Sequence, residues 1–335
     1  MASPEPSHAI YYAIDAAPRC LFEFRHSVAS VRRHCPALPM YVALAGEVDR
    51  DDRDFMDAHQ VAVLPTERDA SLSAVFLKWQ ALAHGFRETD VLYLDADTIA
   101  FDDVSRLFES QGKEDFHARR ELACEPEPSV YPHLLNAFLI GSTQVDHRLF
   151  DLVRKHMGAE TRPVWNTGVM LFRNGLAGRL AGAWPEFARL ARLFRRKRLP
   201  YPCTNPHILE EIVTSLALGA IHPLTWALLP PIACAWFTEY MGRDALPPIV
   251  LHTWDTFYPG YLCHAGDREA LRTYLALPIK RSRPRIQALW LKLGTGPLAA
   301  PEWVLDRWVQ VGARTASADP RRWLNDPVRH TSVRR

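Results

Sequence analysis

Residues Leu92-Tyr93-Leu94-Asp95-Ala96-Asp97-Thr98 put two carboxylates two positions apart at the end of an apolar run. On an extended backbone, residues i and i+2 point to the same side, so Asp95 and Asp97 aim at one spot. Two such groups repel each other unless a cation lies between them. In open α/β sheets, ligands gather just beyond the carboxyl ends of the strands. A divalent ion with a bound phosphate is the chemistry that this pattern and place suit.

The surrounding sequence supplies elements that would carry such a pair. His8–Asp15 is strand-like and ends in a carboxylate. Residues 21–35 follow a helical period, with Leu21, Phe24, Val28 and Val31 on one face. Short apolar strands are predicted at 40–44 and 60–64, a helix at 72–84, and one buried strand running into a turn at 90–101. This order, strand and helix in alternation, predicts a mostly parallel sheet with helices on both faces. A second block adds a strand at 165–172, helices at 184–198 and 207–218, and an apolar strand at 247–254.

Composition agrees with a globular chain. Of 335 residues 48% are hydrophobic and 10% aromatic, enough for a sizeable core and too many for disorder throughout. Forty Lys and Arg against 38 Asp and Glu give no support for a nucleic-acid partner. The six cysteines form no C-x-x-C pair and read as reduced residues of a cytoplasmic protein. Residues 1–10 show no basic segment leading into an apolar one, as a secretory signal would. The stretch 212–237 lacks Asp, Glu, Lys and Arg, but Pro223, Pro230 and Pro231 predict a helix end, a turn and an extended piece rather than a membrane span. Gly294-Thr295-Gly296-Pro297-Leu298-Ala299 follows a helical pattern and contains a proline, so it is not read as a dinucleotide loop.

Two families place Asp-x-Asp after such a strand. Asp95-Ala96-Asp97-Thr98 resembles the first motif of haloacid-dehalogenase-like phosphatases, which needs to stand near the start of its domain and to be followed by a Lys and an acidic pair. Here three strands precede it, and Gly266-Asp267, the one downstream candidate, lacks the second carboxylate at the usual spacing. The chain as a whole resembles GT-A fold glycosyltransferases over about 270 residues, most closely the glycogenin-like and galactosyltransferase-like family 8. The matching segments are the first strand at 12–15, the first helix at 22–33, Phe76-Leu77-Lys78-Trp79-Gln80-Ala81-Leu82, the Asp-x-Asp strand, Asn166-Thr167-Gly168-Val169-Met170, and Val250-Leu251-His252-Thr253-Trp254.

The resemblance implies an α/β GT-A domain over residues 1–279 and a metal-dependent transfer of sugar from a nucleotide-diphosphate donor, a UDP-sugar. Asp95, Asp97 and His252 would hold Mn²⁺ or Mg²⁺, a donor set that suits Mn²⁺ better than Ca²⁺. Asp95 would also reach the ribose, with Ala96 beside the nucleotide. Ala13, Ile14 and Asp15 would seat the base, Lys78 would touch the diphosphate or sugar, and Asn166 would lie beside the donor sugar. Acceptors of this class are glycans, lipid-linked molecules or proteins. Binding of a nucleotide-sugar without turnover is the non-catalytic alternative to transfer.

Two departures from the family stand out. The Lys that the family carries after its late His is missing from His252-Thr253-Trp254-Asp255-Thr256-Phe257-Tyr258-Pro259-Gly260. Its acidic-Gln pair is also missing; Thr204-Asn205-Pro206-His207 holds the approximate place, followed by Glu210 and Glu211. An inverting enzyme needs a general base, and Asp255, Glu210 and Glu211 are the carboxylates available. The helical pattern puts Glu210 on the flank of its helix and Glu211 away from the apolar face. A retaining enzyme would instead bring Asn166 or Asn205 near the anomeric carbon.

Composition changes near Lys280. Residues 280–335 hold 12 Lys and Arg against four Asp and Glu, while the whole chain nets only +2. Ile286, Leu289, Trp290 and Leu293 recur at helical spacing among basic residues, which predicts a basic helical extension. Such a helix either docks on the domain or makes peripheral contact with the inner face of a membrane.

Overall fold

The computed structural model describes residues 7–82, 86, 89–120, 165–196, 206–219, 221, 223–236, 247–253, 258, 261–262, 265 and 267–277. The extension at 280–335, Asn205 and Asp255 lie outside the described residues.

Strand β1 (His8–Asp15) leads into α1 (Pro18–His34), β2 (Met40–Ala45), α2 (Arg50–Ala58) and β3 (Val61–Pro65). A 3₁₀ turn (Ala74–Phe76) opens α3 (Leu77–Leu82), followed by β4 (Asp90–Leu94), β5 (Thr98–Ala100), α4 (Arg106–Ser110) and β6 (Phe116–Arg120). Then come β7 (Trp165–Phe172), α5 (Leu176–Arg196), α6 (Pro206–Gly219), β8 (Trp226–Leu228), β9 (Cys234–Trp236), β10 (Val250–His252) and α7 (Arg268–Ala276).

Seven strands form one sheet in the order β3-β2-β1-β4-β7-β6-β8. The β3-β2, β2-β1, β1-β4 and β6-β8 pairs are parallel, and β7 runs antiparallel to both its neighbours. The mostly parallel α/β sheet expected from the sequence is therefore present. Its strands alternate between two apolar layers, as a pleated sheet must. Ala9, Tyr11, Ala43, Val91 and Tyr93 pack on one side with residues of α3, α5 and α6. Ile10, Tyr12, Ile14, Val42, Leu92 and Leu94 pack on the other with residues of α1 and α2.

The stretch 90–101 is two strands in two sheets, not one strand. At Asp95 the chain turns: Thr98 returns both its N–H (3.2 Å) and its hydroxyl (2.8 Å) to the Asp95 carbonyl. Strand β5 then joins a separate three-stranded sheet, β5-β10-β9. Both halves are apolar, so periodicity alone hides the change of partner. The predicted strand at 247–254 shrinks to β10 for the same reason: its pairing ends with His252 opposite Thr98.

Other differences lie at element ends. The helix predicted at 72–84 starts as a 3₁₀ turn at Ala74, after Ser73. The helix predicted at 184–198 begins at Leu176, with Pro185 inside it. Leu176, Ala177 and Leu180 are buried, and that packing carries the helix through the proline. The uncharged stretch at 212–237 holds the end of α6 and two short strands. Among the described residues no helix is long and apolar enough to cross a membrane. Of the cysteines, Cys20, Cys35 and Cys234 are described, and the Cys35 thiol donates to an Asp103 carboxylate oxygen at 2.7 Å.

Candidate functional site

The register of β1 with β4 pairs Tyr11 with Tyr93, so two residues further on Ala13 stands beside Asp95 at the carboxyl ends of both strands. Asp15 closes β1, where its carboxylate accepts the Ala17 N–H at 3.3 Å. Asp95 is fixed from the other side, its N–H donating to the Gly168 carbonyl of β7 at 2.8 Å.

Asp97 belongs to the turn between the two sheets. Thr253 holds the Asp97 carbonyl with its N–H at 3.0 Å and its hydroxyl at 2.7 Å. This ties the turn to the end of β10 and brings His252 against it. The His252 Nε2 lies 3.4 Å from an Asp97 oxygen and 4.0 Å from an Asp95 oxygen. One ligand atom from each of the three residues falls within 4.8 Å of the others. Burial disfavours an imidazolium at His252, yet Asp97 and Asp95 outweigh it and raise the pKa above the ordinary value.

Gly168 is the reason the imidazole fits. A Cβ built there would run into the His252 ring, against Nδ1, Cε1 and Nε2 alike. Only a residue without a side chain allows β7 to back the imidazole so closely.

Beneath the trio lies a buried polar network. The Lys78 ammonium, on α3, is 5% exposed and lies 3.3 Å from an Asp95 oxygen and 3.4 Å from a Glu210 oxygen. It also donates to the Thr167 carbonyl at 3.1 Å and hydroxyl at 3.0 Å. Burial opposes its charge, but Asp95, Glu210 and Glu211 together hold its pKa above the usual lysine value. Asp95 shows the converse balance: burial would raise its pKa, and Lys78, His252 and the Tyr93 hydroxyl bring it below the ordinary carboxylate value.

Both oxygens of Glu210 are occupied. One accepts from Trp79 Nε1 at 2.5 Å and the Thr214 hydroxyl at 2.9 Å, the other from the Thr167 hydroxyl at 2.5 Å. Glu211 is 8% exposed and accepts from the Asn166 amide at 3.2 Å, while Asn166 Oδ1 accepts the Gly168 N–H at 3.2 Å. Glu211, expected away from the apolar face of α6, is buried instead, and Glu210, expected on the flank, is buried with it. A short run of period cannot show that an inward carboxylate has a cation and three donors waiting.

The structure thus brings Ala13, Lys78, Asp95, Ala96, Asp97, Asn166, Glu210 and His252 to one region, with Ile14 buried one residue on from Ala13. The sequence reading missed Tyr93, Trp79, Thr167 and Thr214 as its support. A polar Glu-Glu-x-x-Thr-Ser pattern inside the apolar run 208–218 is the signal that could have found them.

No family model and no curated protein matches the chain. Solved structures do. A crystal structure of the galactosyltransferase LgtC, in complex with donor and acceptor sugar analogs, matches at 14% identity with a TM-score of 0.52, over 84% of this chain and 100% of that one. An active-site mutant of LgtC matches at 14% identity and a TM-score of 0.52, over 79% of this chain and 94% of that one. At such identity the likeness establishes the fold, which is the GT-A fold, and not the reaction. A motif standing on the fourth strand, with an imidazole as its third partner, also disfavours the haloacid-dehalogenase-like alternative.

Proposed function

We propose that the chain is a metal-dependent glycosyltransferase that moves a sugar from a nucleoside-diphosphate donor, a UDP-sugar, to an acceptor hydroxyl. The observation that carries this reading is the meeting of Asp95, Asp97 and His252 within 4.8 Å at the carboxyl end of β4. Two hard oxygens and one imidazole, backed by a glycine that leaves the ring room, suit Mn²⁺ or Mg²⁺. Bound there, a divalent cation supplies Lewis-acid neutralisation of charge on the departing diphosphate.

The chain's own residues do the rest. Asp95 and Asp97 orient the oxygens toward the ligand, with Lys78 and Tyr93 keeping Asp95 ionised and in place. Ala13, Ile14 and Asp15 line the strand end where the base and ribose rest, with Ala96 against the nucleotide. Lys78, 6% exposed at its side chain, acts chiefly through Asp95 and Glu210. Glu210, with four partners, serves as the anchor for Lys78 rather than as a proton acceptor. Asn166 faces the donor sugar from β7, and Asp255 is the carboxylate assigned to acceptor deprotonation if configuration is inverted. The acceptor is a hydroxyl on a glycan, a lipid-linked molecule or a protein.

Calorimetric titration with UDP, with and without Mn²⁺, tests this reading. The expected result is binding that depends on Mn²⁺ and is lost in Asp97→Ala. Release of orthophosphate from phosphomonoesters without UDP binding would replace it with the phosphatase. Metal-dependent binding with no transfer or hydrolysis of any UDP-sugar would leave a binding protein.

A further inference from the structure

The geometry points to a second anion-holding element, made by Arg19 and Tyr258, that grips the phosphoryl oxygens of the donor from the side opposite Asp95, Asp97 and His252. This rests on the nucleoside-diphosphate reading above and assigns two further residues to it.

Arg19 stands in the first turn of α1, a helix of 17 residues. Its Nε and Nη2 are shielded from solvent and have no hydrogen-bond partner, and among the described residues it makes no ion pair. Its one contact of note is with an aromatic face: the guanidinium carbon lies 4.7 Å from the centre of the Tyr274 ring. Tyr258 is fully buried, packs on the same Tyr274 with ring centres 5.1 Å apart, and its hydroxyl also has no partner. The Tyr274 hydroxyl, by contrast, is committed to Glu23 at 2.5 Å. Shielded polar atoms without partners on a half-buried arginine and a buried tyrosine, gathered around one ring, are unusual in a native interior, and each is costly unless a ligand completes it.

The chemistry of the pair selects the ligand. A guanidinium has donors only. The Tyr258 hydroxyl stays protonated, because burial first, and then Glu23, Tyr261 and Asp97, raise its pKa well above the ordinary value. Donors of this kind, one of them a fork matched to phosphate, call for an anion with several oxygens.

Position selects the anion. The Ser27 hydroxyl meets the Thr98 hydroxyl at 3.0 Å, and the Ser30 hydroxyl accepts the Ala100 N–H at 2.9 Å. Helix α1 and strand β5 therefore run side by side in the same direction. Going back from Ser27 to Arg19 covers about 12 Å of helix axis. That path leads past Thr98 to the Asp97 end of β5. The first turn of α1, with its positive dipole end, thus flanks the ground in front of the carboxylates. The Asp97 carboxylate is close enough to act on Tyr258 electrostatically, so a diphosphate held in front of Asp95, Asp97 and His252 would present its remaining oxygens to Tyr258 and Arg19.

Binding calorimetry on the full chain tests this, with UDP, uridine and inorganic pyrophosphate as probes, each in the presence of Mn²⁺. Arg19→Gln is expected to weaken UDP and pyrophosphate by about 10- to 100-fold, and Tyr258→Phe by about 10-fold, with uridine unaffected. Arg19→Lys keeps a charge without the fork and is expected to fall between wild type and Arg19→Gln. Tyr258→Phe retains the ring and its packing, so it reads the hydroxyl even if Arg19→Gln perturbs folding; unchanged melting temperatures identify binding effects as local. Wild-type UDP affinity in both Arg19→Gln and Tyr258→Phe would overturn the inference while leaving the transferase reading intact. Equal loss of uridine and UDP would also overturn it, since the role would then be structural. If UDP fails to bind the wild type but pyrophosphate binds and is lost in Arg19→Gln, the anion site stands and the donor assignment falls.

Discussion

Two carboxylate centres share Lys78 and are finished differently. Glu210 is completed from within the fold: Trp79, Thr167, Thr214 and the lysine take up both its oxygens in a space 2% exposed. Asp95 and Asp97, one strand end away, meet the lysine and the Tyr93 hydroxyl through Asp95 alone, and both face an imidazole from another sheet. The first centre is a fixed ion network whose work is to hold α3, α6 and β7 together. The second is a cluster of potential ligand atoms whose geometry depends on a turn and two short strands. Stability and ligand binding should therefore separate cleanly between them, because a buried charge stripped of its partner is penalised far more than a half-exposed one.

The sharpest way to break that division is at the shared residue. Lys78→Met keeps the length of the side chain but leaves Glu210 and Asp95 without their cation. A loss of about 3–5 kcal/mol of unfolding free energy is expected, read as a lower urea midpoint. His252→Asn should behave in the opposite way. Its unfolding midpoint stays near that of wild type, while Mn²⁺ affinity falls by more than the about 10- to 100-fold that loss of a mere supporting contact costs. If Lys78→Met melted like wild type, or His252→Asn unfolded the protein, the two centres would not be the separate devices described here.

Gly168 tests the boundary between them. Gly168→Ala forces a methyl group into the His252 ring. Overpacking of this kind costs about 1–3 kcal/mol, and here it also displaces a ligand atom. Stability and Mn²⁺ affinity should therefore both fall, each less than in the variants above. A crystal structure of the variant should show the imidazole turned away from Asp97. An unchanged ring with unchanged affinity would mean that β7 has room to retreat.

What could be read in the sequence follows the same line between the two centres. The large sheet was legible because β1, β2, β4 and β7 are long apolar runs whose burial does not depend on distant partners. Asp95 and Asp97 were legible as a pair because two carboxylates follow an apolar strand, although it is the turn after Leu94, and not an extended strand end, that sets their directions. The three-residue strands β5, β9 and β10 were not, since so few residues carry no period and their pairing is settled by Thr98, Thr253 and the turn between sheets. The role of Glu210 was hidden for a different reason. A carboxylate on a helix reads as solvated unless its cation is known, and Lys78 lies 132 positions earlier in the chain, a separation given directly by the residue numbers.

His117 offers the smallest and most independent test, since it is a buried titratable group outside both centres. It is fully enclosed in β6, with Nε2 3.1 Å from the Glu114 carbonyl. Burial lowers its pKa, and the nearby Glu114 only partly offsets this. His252 is buried to a similar degree and shifts the other way, because Asp97 and Asp95 face it. Burial thus sets the penalty, and the neighbouring carboxylates decide its sign. For His117 the unfolded chain takes up its proton first as the solution is acidified. Its contribution to stability is full above the unfolded value of about 6.5 and is lost as the pH falls from there to the lower folded value, at about 1.4 kcal/mol per pH unit. Urea midpoints measured between pH 7.5 and 5 should show this decline in the wild type and a flatter curve in His117→Leu. The same slope in both would show that the imidazole takes up a proton as easily inside β6 as in the unfolded chain.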